Sequence, residues 1–133
     1  MPIRARGTFV VKLKPLKAYA SADDPKRARM SIDKVFEGDL EGTSRGEMLT
    51  MSTTVKESAV YVAIERVHGT LHGRSGTFAL AHTGTMTRGV PHLTIAVVPD
   101  SGTGDLAGIS GSMSINIAGG DHSYELDYEL PPS

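Results

Sequence analysis

The chain has 133 residues, of which 39% are hydrophobic and 22% are charged, and its formal net charge is −1. A chain of this length can bury a core as one domain without metals or disulfides, so we expect a single domain over residues 1–133. The near-neutral charge predicts no nucleic-acid partner, and the absence of cysteine excludes disulfide frameworks, thiolate nucleophiles and cysteine-ligated zinc.

The first fifteen residues, MPIRARGTFVVKLKP, carry positive charge and one short apolar stretch that a lysine interrupts. This stretch is too short for a signal peptide or a membrane span. We therefore expect a cytoplasmic protein without a membrane partner.

Segments rich in Val, Ile, Thr and Tyr alternate along the chain with breaks that contain glycine, which is typical of strands joined by turns. The pattern predicts an all-β protein. The predicted strands lie near residues 6–13, 29–40, 42–53, 57–67, 75–88, 91–99, 109–118 and 121–130.

Residues 14–30 break the pattern with two prolines, two adjacent aspartates and several basic residues. They predict a long connection, at about residues 14–29, or a lid. A helix of one or two turns over Pro25–Met30 also fits, because Asp24 can act as its N-cap and proline suits the first helical position.

The last predicted strand, HSYELDYEL, shows the clearest alternation, with Tyr124, Leu126 and Tyr128 on one face and acidic residues on the other. Eight antiparallel strands with one covered face can close on themselves and remove their exposed edges. We therefore predict a single closed antiparallel barrel of about eight strands rather than a sandwich.

Residues 66–85, RVHGTLHGRSGTFALAHTGT, contain three histidines among glycines and suggest a metal site. In an extended strand His68 and His72 would lie roughly 13 Å apart, which is too far to share an ion. We expect no metal here and assign these histidines and Arg74 to a hairpin at a barrel rim. The glycine-rich residues 100–111 lack the ending of a phosphate-binding loop, and no hydrolase elbow occurs.

Polar residues on the two central strands are the candidates for chemistry. A hairpin tip at residues 71–72 pairs Glu65 with Phe78. The same register pairs Tyr61 with His82, and it turns these side chains toward the barrel interior.

A carboxylate on an apolar wall is costly unless it is paired, and burial raises its pKa toward the range useful for acid-base catalysis. We expect Arg74, or Arg66 in another register, to pair with Glu65. A register that differs by one residue would turn Glu65 outward and the apolar residues of segment 60–64 inward. The sequence leaves both orientations open.

Four blocks in order resemble a known family: VFEGDLEGTSRGEML, YVAIERVHGTLHGRSGTFALAHTGTM, VVPDSGTGDLAGISGSMSI and HSYELDYEL. They are similar to the DUF3224 family, small bacterial proteins of uncharacterised function whose fold is similar to the allene oxide cyclase barrel. The resemblance covers Gly7 to Leu130 and implies an eight-stranded antiparallel barrel with an apolar central cavity. The wider superfamily includes allene oxide cyclase and dirigent proteins, whose catalytic residues do not match this sequence position by position.

The resemblance and the residues together favour a cyclase or isomerase that needs no cofactor and acts on a small apolar molecule, such as a polyketide-like or oxylipin-like compound. Glu65 would be the acid-base or steering group, with His82 and Tyr61 as its proton-transfer partners. The predicted substrate-binding residues are Phe78, Leu80, Tyr124, Leu126, Tyr128 and Arg74. A ligand-binding or carrier barrel and a barrel filled by its own side chains are the alternatives.

The orientation of Glu65 also bears on assembly. If Glu65 points inward, Val60, Val62 and Ile64 form an apolar stripe on the outside of the barrel, of the kind that subunit contacts bury. An inward Glu65 therefore predicts a homo-oligomer.

Overall fold

The structure, a computed structural model, describes residues 2–17, 19 and 26–132. Its strands form one closed antiparallel barrel in which each strand pairs with the next and the last pairs with the first. The strands are β1 (Ile3–Leu16), β2 (Arg27–Gly38), β3 (Leu40–Ser52), β4 (Ala59–Leu71), β5 (Arg74–Thr87), β6 (Val90–Val97), β7 (Ser110–Ala118) and β8 (Asp121–Glu129). A 3-10 helix of three residues, Gly104–Leu106, precedes β7. The all-β barrel of eight strands is confirmed.

The connection between β1 and β2 is shorter than the predicted 14–29, because both strands extend into it. Pro15 pairs with Met30 at a position where β1 has no neighbour on its other side, so the missing N–H of proline breaks no ladder. The helix predicted to end at Met30 is wrong for its described part, since β2 already begins at Arg27. Its first residue and its proposed cap, Pro25 and Asp24, lie outside the described residues.

The central hairpin turns at residues 72–73, where both φ angles are positive (47° and 82°), as a two-residue hairpin turn requires. The turn pairs Glu65 with Leu80 and Ala63 with His82. The predicted pairings are therefore wrong by two residues. Because side chains alternate with a period of two, the shift leaves every residue on its predicted face.

The two ends of the barrel differ. The closed end carries the turns at 38–39 and 72–73 and the segment 98–109, and most of its inward side chains are buried. The open end carries the connections 53–58, 88–89 and 119–120. Inward apolar side chains at the open end are exposed: Leu13 by 44%, Met86 by 39%, Leu93 by 43% and Ile117 by 64%.

The core fills the closed half of the barrel. Its fully buried apolar side chains include Ala5, Leu40, Val67, Leu71, Phe78, Leu80, Leu106 and Leu126. Toward the open end the wall loosens, because β6 and β7 pair only through Ile95–Met113 and Ala96–Ser112. The pairing between strands is therefore weaker toward the open end than toward the closed one.

Candidate functional site

Glu65 is fully buried midway along the barrel and lies at the centre of a network of polar side chains. Its Oε2 atom accepts hydrogen bonds from Nζ of Lys34 at 2.8 Å and from Nε2 of His82 at 2.5 Å. Its Oε1 atom accepts a hydrogen bond from Oγ of Ser44 at 2.7 Å. The four side chains are all buried, and they form the only group of buried polar side chains in the described chain.

The arginines expected to pair with Glu65 do not do so. Arg74 lies at the closed end and Arg66 points outward, because it alternates with Glu65 along β4. The partner is Lys34, which β2 contributes from two strands away. A signal for it was present in the sequence: in IDKVF, Lys34 alternates in phase with Ile32 and therefore shares the inward face.

Local sequence makes room for this carboxylate. Gly46 on β3 pairs directly with Glu65, and a Cβ atom on that glycine would lie 2.9 Å from Cβ of Glu65 and 2.0 Å from the carbonyl oxygen of Ile64. Ser44 lies two residues before this glycine, on the same face of β3. The glycine lets β3 approach β4 closely, so that the serine hydroxyl reaches the carboxylate.

The pKa of Glu65 is shifted in the direction opposite to the one that burial predicts. Burial by itself raises the pKa of Glu65, but the hydrogen bond from His82, the charge of Lys34 and the hydrogen bonds from Lys34 and Ser44 outweigh it. The pKa falls from 4.5 to about 2. Glu65 is therefore an anion at neutral pH, and the prediction of a raised pKa is wrong.

The ionised carboxylate fixes the tautomer of His82. An ionised carboxylate only accepts hydrogen bonds, so Nε2 of His82 must carry the proton that it shares with Glu65. The second ring nitrogen, Nδ1, has no hydrogen-bond partner among the described residues. No fully buried side-chain nitrogen or oxygen in that part of the chain lacks a partner, so Nδ1 is not completely buried. Nδ1 is therefore the ring nitrogen of His82 that remains for a further partner.

Tyr61 lies beside His82 on the side of the open end, with ring centroids 6.5 Å apart. Its ring covers Gly84, where a Cβ atom would lie 2.3 Å from a carbon of the tyrosine ring. Burial and the charge of Glu65 raise the pKa of the Tyr61 hydroxyl. The hydroxyl therefore stays protonated at neutral pH and can donate a hydrogen bond.

Two aromatic rings flank the lysine. Nζ of Lys34 lies 4.9 Å from the ring centre of Phe9 and 5.9 Å from that of Phe36. Cation–π contact of this kind stabilises a desolvated ammonium group. Together with Glu65 it keeps a buried positive charge in place.

The predicted catalytic residues Glu65, His82 and Tyr61 are thus brought together, but the predicted substrate-binding residues lie elsewhere. Phe78, Leu80 and Leu126 are fully buried in the packed closed half, whereas Arg74 lines a cleft at the closed rim.

The two predicted tyrosines on β8 have partners of their own. The Tyr124 hydroxyl accepts a hydrogen bond from the Leu40 N–H at 2.9 Å, and the Tyr128 hydroxyl lies 2.5 Å from Nδ1 of His72. Neither hydroxyl joins the network of Glu65.

No group of three or more His, Asp or Glu side chains in residues 2–17, 19 and 26–132 is placed to hold a metal ion. Within the same residues there is no helix with the length and hydropathy of a membrane span.

Comparison with known proteins places the chain in a family. The profile of the family described as "protein of unknown function (DUF3224)" matches residues 5–128. The chain is similar to a crystal structure of a DUF3224 protein of unknown function from Shewanella oneidensis, with 47% sequence identity, a TM-score of 0.94 and complete coverage of both chains. No curated protein matches the chain.

Proposed function

The chain belongs to the DUF3224 family, and from that premise we propose that it is an isomerase or cyclase that transfers protons without a cofactor. The substrate is a small, largely apolar molecule that enters through the open end. One observation carries the proposal: His82 donates from Nε2 to the buried anion of Glu65 and keeps Nδ1 free. An imidazole backed by a carboxylate in this way is a general base.

In the proposed reaction, Nδ1 of His82 removes a proton from an acidic C–H bond of the substrate. The imidazolium that forms is stabilised by the carboxylate of Glu65, which the contact with Lys34 keeps ionised. Tyr61 donates a hydrogen bond to the substrate oxygen on which negative charge develops. His82 then returns the proton to another atom of the substrate, so that no atom is gained or lost and no oxidant is needed.

The lining of the open end supports an apolar substrate. The exposed inward residues there are Leu13, Met86, Leu93 and Ile117, and three methionines, Met30, Met48 and Met86, point to the same side. Methionine side chains adapt to varied apolar shapes. The relation to the allene oxide cyclase barrel belongs to the same proposal and is supported by the closed eight-stranded topology.

A ligand-binding or carrier function is the second candidate, because the same apolar lining suits storage as well as catalysis. It requires no chemistry from His82. The two functions can be distinguished with a test reaction that proceeds only when a base is present in an apolar site.

The test uses 5-nitrobenzisoxazole, a small neutral molecule whose ring opens when a base removes its C–H proton. The C–H and N–O bonds break, the base takes the proton, and a coloured cyanophenolate forms. We expect the protein to exceed free imidazole by about 100-fold and the His82→Gln variant to lose this excess. Glutamine keeps the amide donor toward Glu65 while it removes the base.

The matched control is His92→Gln, which changes an exposed histidine of β6. We expect it to retain the full rate. Equal rates for the wild type and His82→Gln would overturn the proposal of proton transfer. Retention of the benzisoxazole by both proteins in native mass spectrometry would then assign the carrier function.

We also propose that the protein is a homo-oligomer. With Glu65 inside, the outward residues of β4 are exposed: Val60 by 38%, Val62 by 45% and Ile64 by 64%. Leu49 on β3 pairs with Val62 and widens the stripe. A second copy of the chain would bury this apolar face.

A further inference from the structure

A second group of polar side chains lies at the closed end, separated from Glu65 by the packed half of the barrel. It borders a cleft of about 550 Å³, a volume in the range of small-molecule sites. His72, Arg74 and Tyr128 contribute to its wall. The proton-transfer function proposed above uses none of these residues.

His72 is held in a defined orientation at this cleft. Its Nδ1 atom lies 2.5 Å from the Tyr128 hydroxyl, and the two rings stack with centroids 5.7 Å apart. Its Nε2 atom lies 3.5 Å from a carboxylate oxygen of Asp39, and the same oxygen accepts a hydrogen bond from the N–H of Arg6. The ring is therefore fixed between a phenol and a carboxylate.

The backbone at His72 is also unusual. Its φ of 47° lies in the left-handed region, where a residue other than glycine is uncommon. The two-residue turn of the central hairpin requires this conformation. The contacts with Tyr128 hold the turn at the edge of the cleft.

Arg74 follows the turn and is exposed to solvent. It forms no hydrogen bond or ion pair with a carboxylate among residues 2–17, 19 and 26–132, so its guanidinium donors are available to a ligand. The charge of Arg74 also acts on Tyr128. Burial raises the pKa of the Tyr128 hydroxyl, and the positive charge of Arg74 lowers it in part. A guanidinium group binds a carboxylate through two parallel hydrogen bonds.

The other wall of the cleft is apolar. Ile3, Leu130 and Pro131 line it, and Ile3 is 49% exposed. Pro131 packs against Gly108, where a Cβ atom would lie 2.5 Å from the proline ring. This packing places the segment after β8 along the cleft.

The charge that faces the cleft favours a ligand with one negative charge. Arg74 is the only arginine or lysine among the described residues that line it. One guanidinium group matches the charge and the two oxygens of one carboxylate. We propose that this cleft binds a small organic monocarboxylate, with Arg74 pairing with the carboxylate and Leu130 and Pro131 contacting the apolar part.

The test titrates benzoate and hexanoate into the isotope-labelled protein and follows amide resonances by NMR. We expect saturable shifts at His72, Gly73 and Arg74, and weaker binding of benzyl alcohol, which has the same ring without the charge. Arg74→Gln should weaken benzoate binding at least about tenfold. Arg74→Lys should have an affinity between those of the wild type and Arg74→Gln, because an ammonium group keeps the charge but cannot form the two parallel hydrogen bonds.

The matched control is Arg66→Gln on the outer face of β4, which should leave the affinity unchanged. The proposal is overturned if Arg66→Gln weakens binding as much as Arg74→Gln, because the effect would then be one of net charge. It is also overturned if neither carboxylate gives saturable shifts, or if the shifts lie at Tyr61 and His82. These outcomes leave the base assigned to His82 untouched, since its assay uses a neutral probe.

Discussion

His82 and Glu65 interact diagonally across the hairpin. Glu65 pairs with Leu80 and His82 pairs with Ala63, yet Nε2 of His82 reaches Oε2 of Glu65 at 2.5 Å. Diagonal neighbours on one face of a sheet lie within reach of long side chains. The contact therefore requires that both residues face inward and that the turn sets the register to within two residues.

The free energy of unfolding should depend on pH because Glu65 is a buried anion. The pKa of Glu65 is about 2 in the folded protein and 4.5 ordinarily, so the unfolded chain takes up the proton at higher pH. The stabilisation is fully present above pH 4.5 and is lost as the pH falls through about 2. This difference corresponds to ~3 kcal/mol.

The measurement is chemical denaturation of the wild type and of the Glu65→Gln variant at several pH values between about 2 and 4.5. Only the wild type should lose this stability on acidification. The surface pair of Arg4 and Asp127 is present in both proteins, so its contribution cancels. The same acid slope in both proteins would contradict the assignment to Glu65.

Removal of Lys34 should destabilise the protein strongly. The variant Lys34→Met leaves Glu65 buried without its cation, which costs about 3 kcal/mol or more. The double variant Lys34→Met with Glu65→Gln removes both charges and should recover most of this loss. Urea denaturation gives the free energies of unfolding.

The control for Lys34 is Lys12→Met on β1, where the side chain is exposed and a change of less than about 0.5 kcal/mol is expected. Equal losses at Lys12 and Lys34 would count against a buried ion pair.

Gly84 should be required for the position of Tyr61. An added methyl group at Gly84 would lie 2.3 Å from the tyrosine ring, so Gly84→Ala must displace the ring. We expect a loss of about 1–3 kcal/mol, as for other overpacked positions. In a Tyr61→Ala background the same substitution should cost almost nothing, and thermal or urea unfolding of the four proteins measures the coupling. Additive effects would show that the ring does not rest on Gly84.

The proposed assembly should depend on the outer face of β4. Ile64→Lys places a charge in the middle of the exposed apolar stripe, and we expect it to convert the oligomer to a monomer in light scattering after size exclusion. Thr83→Lys, on the neighbouring outer position of β5, tests whether any charge on that side suffices. A wild type that is monomeric at all concentrations would refute the proposal.

Much of the fold could be predicted because it depends on local patterns. Alternation over β8 identified the inward face with Tyr124, Leu126 and Tyr128, and all three are buried. The predicted strand boundaries lie close to the observed ones for the same reason. The connection after Lys14 was predicted less well, because pairing with β2 extends β1 through Pro15 and local propensity does not record that pairing.

The candidate site was predictable only in part. Glu65, His82 and Tyr61 lie on two strands joined by one short turn, so sequence distance alone suggested their proximity. Lys34 and Ser44 come from β2 and β3, and their contact with Glu65 depends on how the barrel curves. The same contacts reverse the direction of the Glu65 pKa shift, which burial alone would raise.

The class of fold, the number of strands and the set of side chains that share a face of each strand follow from the sequence, because they depend on a period of two along the chain. Which of the two faces points inward at Glu65, and which groups meet inside, depend on the folded barrel. Closing the barrel brings Lys34 and Ser44 to the carboxylate of Glu65, leaves Nδ1 of His82 free, and places Arg74 at the opposite end. Alternation fixes orientation within a strand, whereas charge, tautomer and access depend on distances between strands that only the folded barrel sets.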